Sequence, residues 1–470
     1  MAFQSFEFLA LFLGLLVLYW TLPHVVRNPL LLAASYVFYG YVHPWLLFLL
    51  AGYTLLSYVS TIGIQRYPES KRPILWISVV AALSTLAVFK YFGFFVDSFG
   101  DALESIGLGR LDGGLEIFLP IGISFYTFQT IGYIVDVYRG STTARTNPVD
   151  VALFVSFFPQ LVAGPIERAS RMFPQIEARR SLTPNVALDG VMLILWGFFK
   201  KLVIADNVAF IVNRIFSLQE PDFFLIWVGV LAFGIQIYAD FSGYTDIARG
   251  TAKLFGIELS QNFRAPYLSR SPVDFWRRWH VSLSSWFRDY VYIPMGGARR
   301  GYYANILVLM VTFGLTGLWH GASWNFVLWG LYHGVAVQGT RMASVSRYAS
   351  LLSGTIGTIV SVGITLWIVM FGWLLFREQD LGQISSVLQL DPFAASLDQI
   401  KVAWFLLGQV VVYSLPLWAF YIYEANREKL GLLISKNGVE AASALVGAAM
   451  LLAILVMNPE GNADFIYFQF

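Results

Sequence analysis

What most limits this chain is a succession of apolar runs, near 4–22, 29–43, 45–64, 74–96, 117–138, 149–163, 186–205, 223–239, 303–319, 323–340, 354–375, 402–421 and 440–457. Most are about 16–22 residues long, close to what an α-helix needs to cross the hydrocarbon of a bilayer. In lipid every backbone N–H and C=O must find a partner inside the protein, so only helices and closed barrels span. Barrel strands read as ~10-residue alternating segments, and these runs do not alternate. Charged residues are 13% of the 470 and hydrophobic residues 57%, against roughly 25% charged in soluble domains. So few charges cannot cover a chain of this length with a polar shell. The expectation is an all-α, polytopic integral membrane protein with about 11–12 transmembrane helices. Neither an internal repeat nor a low-complexity linker is visible, so 1–470 reads as a single membrane domain.

The breaks between runs carry Pro, Gly and charge, beginning with Pro23, Pro29 and Pro44. Lys and Arg gather in cytoplasmic connections. The basic connections are Arg66/Lys71/Arg72, Arg139/Arg145, Arg168/Arg171/Arg179/Arg180, the stretch Arg264–Arg300, and Arg341/Arg347. The acidic ones are 97–116 and 377–400. Alternation holds if the basic set is cytoplasmic and both termini are external. Run 149–163 has basic connections on both sides, so it is expected to be re-entrant or interfacial. Residues 240–302 are too polar to span and too aromatic for a free loop, which suits short amphipathic helices at the cytoplasmic interface. The N-terminal Met1–Glu7 stretch has no basic n-region, so the first run reads as a permanent span rather than a signal peptide.

Net charge is +2 and no basic stripe points to nucleic acid. There is no cysteine, which excludes thiolate nucleophiles, zinc–thiolate sites and iron–sulfur clusters. Zincin, P-loop and nucleophile-elbow patterns are absent. Five histidines remain. His24 and His43 stand beside prolines at ends of early spans and read as interfacial. His280, His320 and His333 cluster late in the chain. An ionisable group at membrane depth is expensive and is by default a functional candidate. Imidazole titrates near neutrality, so it can take a proton from a hydroxyl that attacks an acyl group. Around His320, Gly317 and Gly321 form a small-xxx-small pair that would let two helices approach. Asp240 and Asp246 flank the end of run 223–239 and read as helix-end groups for capping and loop hydrogen bonding. A proton path through them is the alternative. Gln129, Asp136, Lys200 and Lys201 stand in or beside apolar runs, where they could line a cavity.

Several ordered stretches carry a resemblance: Pro120–Gln129, Phe158–Ile166, Tyr238–Asp246, Phe275–Leu283, Gly317–Ala322, Leu331–Gly334, Phe376-Arg377 and Phe465–Phe470. Together they resemble the membrane-bound O-acyltransferase family, in the bacterial branch that acetylates polysaccharides such as alginate. The resemblance implies a funnel through a thinned membrane, with the 303–340 hairpin carrying the catalytic His320 and with His280 as the second motif histidine. It gives His333 a supporting place, and Asp240 and Asp246 are further supporting candidates. The donor it implies is acetyl-CoA, whose phosphates would suit Arg277, Arg278 and Arg288. No metal and no bound cofactor are expected. The implied reaction moves acetyl groups across a bacterial inner membrane to an exopolysaccharide, alginate or cellulose. It would proceed through a periplasmic acetyltransferase with a Ser-His-Asp site and the polymer's synthesis and secretion components. D-alanyl transfer to teichoic acid and acylation of a protein or lipid are the alternatives within the enzymes. A proton-coupled transporter or flippase, or a docking scaffold, stands outside them.

Overall fold

The structure is a computed structural model that describes residues 1–109, 117–162, 164–345, 354–433, 436–458 and 465–466. Asp112, Glu116, Ala163, Arg347 and Tyr467–Phe470 lie outside the described residues. The described chain is helical, with no strand among the described residues. Six helical stretches are long and apolar enough to cross a membrane: Leu46–Arg66, Pro68–Ser105, Phe223–Leu254, Tyr302–His320, Gly354–Arg377 and Leu397–Asn426. Two shorter apolar helices are Phe6–Thr21 and Ala441–Met457. Other apolar runs fold into shorter or interrupted helices, such as Pro184–Phe198, which passes through a π-helical turn at Phe199–Ala205 into Asp206–Phe216. The all-α, multi-pass membrane character is therefore as the apolar runs predict.

The chain groups into two compact units. The first comprises Met1–Val191, Ala248–Gln261 and Ser285–Met295. Its interior is aromatic. Phe38 meets Phe158 at 5.6 Å between ring centres, Phe158 meets Phe255 at 6.0 Å, and Tyr19 stands edge-on to Phe255 at 5.1 Å. The 149–163 run falls here, as two short helices, Pro148–Ser156 and Phe158–Leu161. The first has 9 residues, about 14 Å of rise against ~30 Å of hydrocarbon. A helix that stops within an apolar interior leaves backbone groups without ladder partners. Side chains supply them. Gln129 and Gln160 both donate to the Phe154 carbonyl, and Ser35 Oγ accepts from the Phe158 N–H at 3.1 Å. Gln129 thus closes a helix break.

The second unit comprises Met192–Ile247, Asn262–Ser284 and Gly296–Phe470, and it holds the three late histidines. The helices Tyr302–His320 and Trp324–Val345 form its hairpin. They meet at glycine. A Cβ on Gly317 would lie 2.0 Å from the Phe326 carbonyl oxygen, and one on Gly330 would lie 2.2 Å from that of Phe313. Close approach is therefore built on Gly317 against Gly330, 13 residues on, and Gly321 too faces the second helix, as the small-residue spacing predicts. Gly321 meets the Phe326 ring, 2.1 Å from where its Cβ would sit.

One boundary differs from expectation. The Phe223–Leu254 helix runs 32 residues and does not stop at 239. Asp240 and Asp246 are mid-helix, so they are not capping groups. The polar stretch stays helical because its carboxylates meet cations on a facing segment. Lys201 Nζ lies 2.7 Å from Asp206 Oδ1 and 3.0 Å from Asp240 Oδ1, and Lys200 Nζ lies 2.6 Å from Asp246 Oδ2.

Candidate functional site

The segment that carries His280 begins with a capped helix. Ser271 Oγ accepts from the Asp274 N–H at 3.1 Å, Pro272 fills the first helical position, and Asp274 supports the first turn. The helix Pro272–Arg278 ends at Trp279 and the next, Val281–Phe287, begins at once. The reversal falls on His280, whose φ is +43°. A left-handed backbone costs a non-glycine residue about 1–2 kcal/mol. Such residues persist only where their surroundings over-determine them, and they concentrate at functional sites. Here the surroundings include Asn262. Its backbone oxygen accepts from Val281 N–H at 3.0 Å and its Oδ1 from Ser282 N–H at 3.1 Å.

His280 is fully buried. Its ring stands edge-on to Phe241 at 4.7 Å and to Trp319 at 5.7 Å. Burial pushes its imidazole down from 6.5 to about 3. It therefore rests neutral, with one ring nitrogen able to accept a hydrogen bond and the other able to donate.

His320 is the last residue of its helix, and Gly321 turns the chain into extended backbone. Its ring is boxed by Trp319 at 5.0 Å, Trp329 at 5.0 Å and Phe376 at 5.5 Å. His333 follows on the second hairpin helix. It stands 5.0 Å from Trp329 and 5.1 Å from Trp276. On its far side a Cβ on Gly372 would lie 2.5 Å from His333 Nε2, so the imidazole presses against bare backbone of the Gly354–Arg377 helix. The three histidines thus form one chain of rings, His280–Trp319–His320–Trp329–His333, all of it buried. The sequence brings the histidines together through two tryptophans whose part in the site it does not announce.

The other candidates fall elsewhere. Asp240 is tied to Lys201, and its Oδ2 accepts from the Ile466 N–H at 2.7 Å. Asp246 is tied to Lys200. The Asp240–Lys201 pair is buried, where removing one partner costs about 3–5 kcal/mol because the other is left charged and unpaired; Asp246 is 16% exposed, so its pair with Lys200 is only partly buried. Arg278 Nε sits 2.9 Å from Asp274 Oδ1 and Arg288 Nε sits 2.7 Å from Asp289 Oδ1. Arg277 is exposed and has no carboxylate partner among the described residues. Of the three arginines it has the charge most available to an anion. Asp136 accepts from the Tyr290 hydroxyl at 2.8 Å, in the first unit.

Chemically, the arrangement offers imidazoles in a water-poor aromatic setting, with no thiol or metal-binding cluster among the described residues. It suits proton transfer at a hydroxyl or at a leaving group.

The family model described as MBOAT, membrane-bound O-acyltransferase family, matches residues 141–377, which include all three histidines. The chain is 36% identical to the probable alginate O-acetylase of Azotobacter vinelandii over 508 aligned residues, 100% of both chains. It is 40% identical to that of Pseudomonas aeruginosa over 387 residues, 81% of this chain and 73% of the relative. With the peptidoglycan O-acetyltransferase of Helicobacter pylori it shares 34% over 406 residues, 79% of this chain and 76% of the relative.

Proposed function

The chain belongs to the membrane-bound O-acyltransferase family and is a multi-pass membrane O-acyltransferase, and on that premise we propose that it moves acetyl groups from cytoplasmic acetyl-CoA to an extracytoplasmic polysaccharide. The observation that carries this is the buried ring chain holding His280, His320 and His333 at the end of a two-helix hairpin. The similarity to alginate and peptidoglycan O-acetylating proteins supports acetyl as the group and a polymer hydroxyl as the destination. Alginate and cellulose are the acceptors placed first.

In this mechanism His320 is the general base. It takes the proton of the acceptor hydroxyl as that oxygen attacks the thioester carbonyl. The C–O bond forms, the C–S bond breaks, and the proton is passed to the departing CoA thiolate. His280 orients the donor or acceptor, or relays the proton. His333 supports the base through Trp329. Arg277 is the first candidate for the donor phosphates, with Arg278 and Arg288 able to join if their carboxylates release them. The acceptor hydroxyl belongs either to the polymer or to a periplasmic acetyltransferase with a Ser-His-Asp site that hands the acetyl on to the polymer. Inner-membrane residence, which the similarity to bacterial polysaccharide O-acetylating proteins supports, and periplasmic termini, which the charge of the connections supports, complete the reading.

The test is transfer of radiolabel from acetyl-CoA in proteoliposomes. His320→Ala should lower transfer about 10²–10⁴-fold, the usual share of general acid–base catalysis, while inserting like wild type. His280→Asn, chosen because asparagine tolerates a left-handed backbone, should also impair transfer. Near-full activity in an inserted His320→Ala protein sinks the assignment of the base. No transfer by wild type, with acceptor and partner supplied, sinks the reaction.

A further inference from the structure

We propose that Asn262 is a positioning residue for the transfer, holding His280 in the left-handed conformation by capping the helix that follows it; the proposal rests on the role given to His280 above.

A helix leaves its first N–H groups without ladder partners. The residue just before the helix normally answers with its own side chain, which is why Ser, Thr, Asp and Asn prevail there. At Val281–Phe287 that place belongs to His280, and its imidazole is turned instead toward Phe241 and Trp319. Asn262 supplies the missing cap from 18 positions upstream. Its Oδ1 takes the Ser282 N–H at 3.1 Å, the bond a capping side chain at 280 would make, and its backbone oxygen takes the Val281 N–H at 3.0 Å. The helix proper then starts with Ser284 N–H donating to the His280 carbonyl at 3.0 Å. His280 is thus fixed by acceptors on both following amides, and the cap comes from Asn262. Asn262 is buried, and its Nδ2 makes no hydrogen bond among the described residues, so the acceptor half of the amide is the half in use.

That asymmetry defines the test. Asn262→Leu keeps the volume and removes the acceptor. Asn262→Asp keeps the acceptor and places negative charge at a helix N-terminus, where it is favourable. In the full-length protein reconstituted in liposomes, hydrogen exchange at the Ser282 amide should be roughly fivefold faster in Asn262→Leu, the scale of one lost cap. The rate of acetyl transfer at saturating acetyl-CoA should fall about 10–100-fold, the scale of a misplaced reacting group, with KM for acetyl-CoA nearly unchanged. Asn262→Asp should restore both readings. If Asn262→Leu does not insert, Asn262→Ala carries the same test. Unchanged exchange at Ser282 overturns the cap. Faster exchange with a wild-type transfer rate overturns the positioning role and leaves the reading of His280 intact. A His280→Asn protein that transfers like wild type overturns the reading of His280, and this proposal with it.

Discussion

His280 occupies the kind of position at which acid should matter. Its folded imidazole lies near 3, against 6.5 for an unperturbed histidine, because burial disfavours the cation. At neutral pH the folded imidazole is uncharged and the unfolded one mostly so, and this group imposes little acid-linked penalty. As pH falls below 6.5 the unfolded chain takes up a proton that the folded one refuses, so stability drops progressively toward pH 3. His280→Asn removes this term. The gap in thermal midpoint between wild type and variant should therefore narrow from neutral pH to about two units lower; a constant gap would show that His280 is not the titrating group. The residue was legible as a candidate because histidine is scarce and sits in a polar-aromatic segment. Its φ was not legible. Nothing in Trp279-His280-Val281 signals a left-handed turn, since the acceptors that impose it belong to Asn262, far back in sequence. Trp329 was invisible for a related reason: an apolar helix residue reads as lipid-facing or core until its neighbours are known.

Among elements, the hairpin is the most exacting. Gly317 admits no side chain, since a Cβ would meet a backbone oxygen at 2.0 Å, whereas Gly339 on the partner helix has open space at its Cβ. Gly317→Ala should destabilise by about 1–3 kcal/mol, as overpacking does, and should depress transfer by shifting His320. Gly339→Ala should be neutral or gain up to ~1 kcal/mol from helix propensity. Thermal unfolding in detergent compares them directly; equal midpoints would mean that the hairpin yields at Gly317. The small-residue signal at Gly317 and Gly321 announced tight packing correctly, but it could not name Phe326 and Gly330 as the facing residues, because spacing within a helix says nothing about the helix opposite. The Phe223–Leu254 helix shows the opposite error. Asp240, Ser242 and Asp246 looked like the end of a span, and the lysines that keep them helical lie about 40 residues earlier.

For the whole molecule, lipid is part of the fold. Ile364 lies near the middle of the Gly354–Arg377 helix and is 53% exposed. Ile364→Arg should cost about 2.5–3.5 kcal/mol of insertion free energy, read as a lower fraction recovered in membranes. Gln383→Arg, also at an exposed position, should stay within about 0.5 kcal/mol of wild type. Equal recovery of the two would mean that Ile364 does not face hydrocarbon. Membrane residence was the most legible property, because it rests on run length and charge scarcity alone. The number of full crossings was less so, because runs broken by π turns or stopped short look continuous in sequence. The stretch Pro68–Ser105 spans 38 residues and only 11% of its most apolar part is buried, while the Phe223–Leu254 helix has 72% of its own enclosed by protein. A change in bilayer thickness thus reaches the first and scarcely touches the second. Elastic mismatch, at fractions of a kcal/mol per Å, is borne by a stretch that passes through a π turn at Ala87–Tyr91.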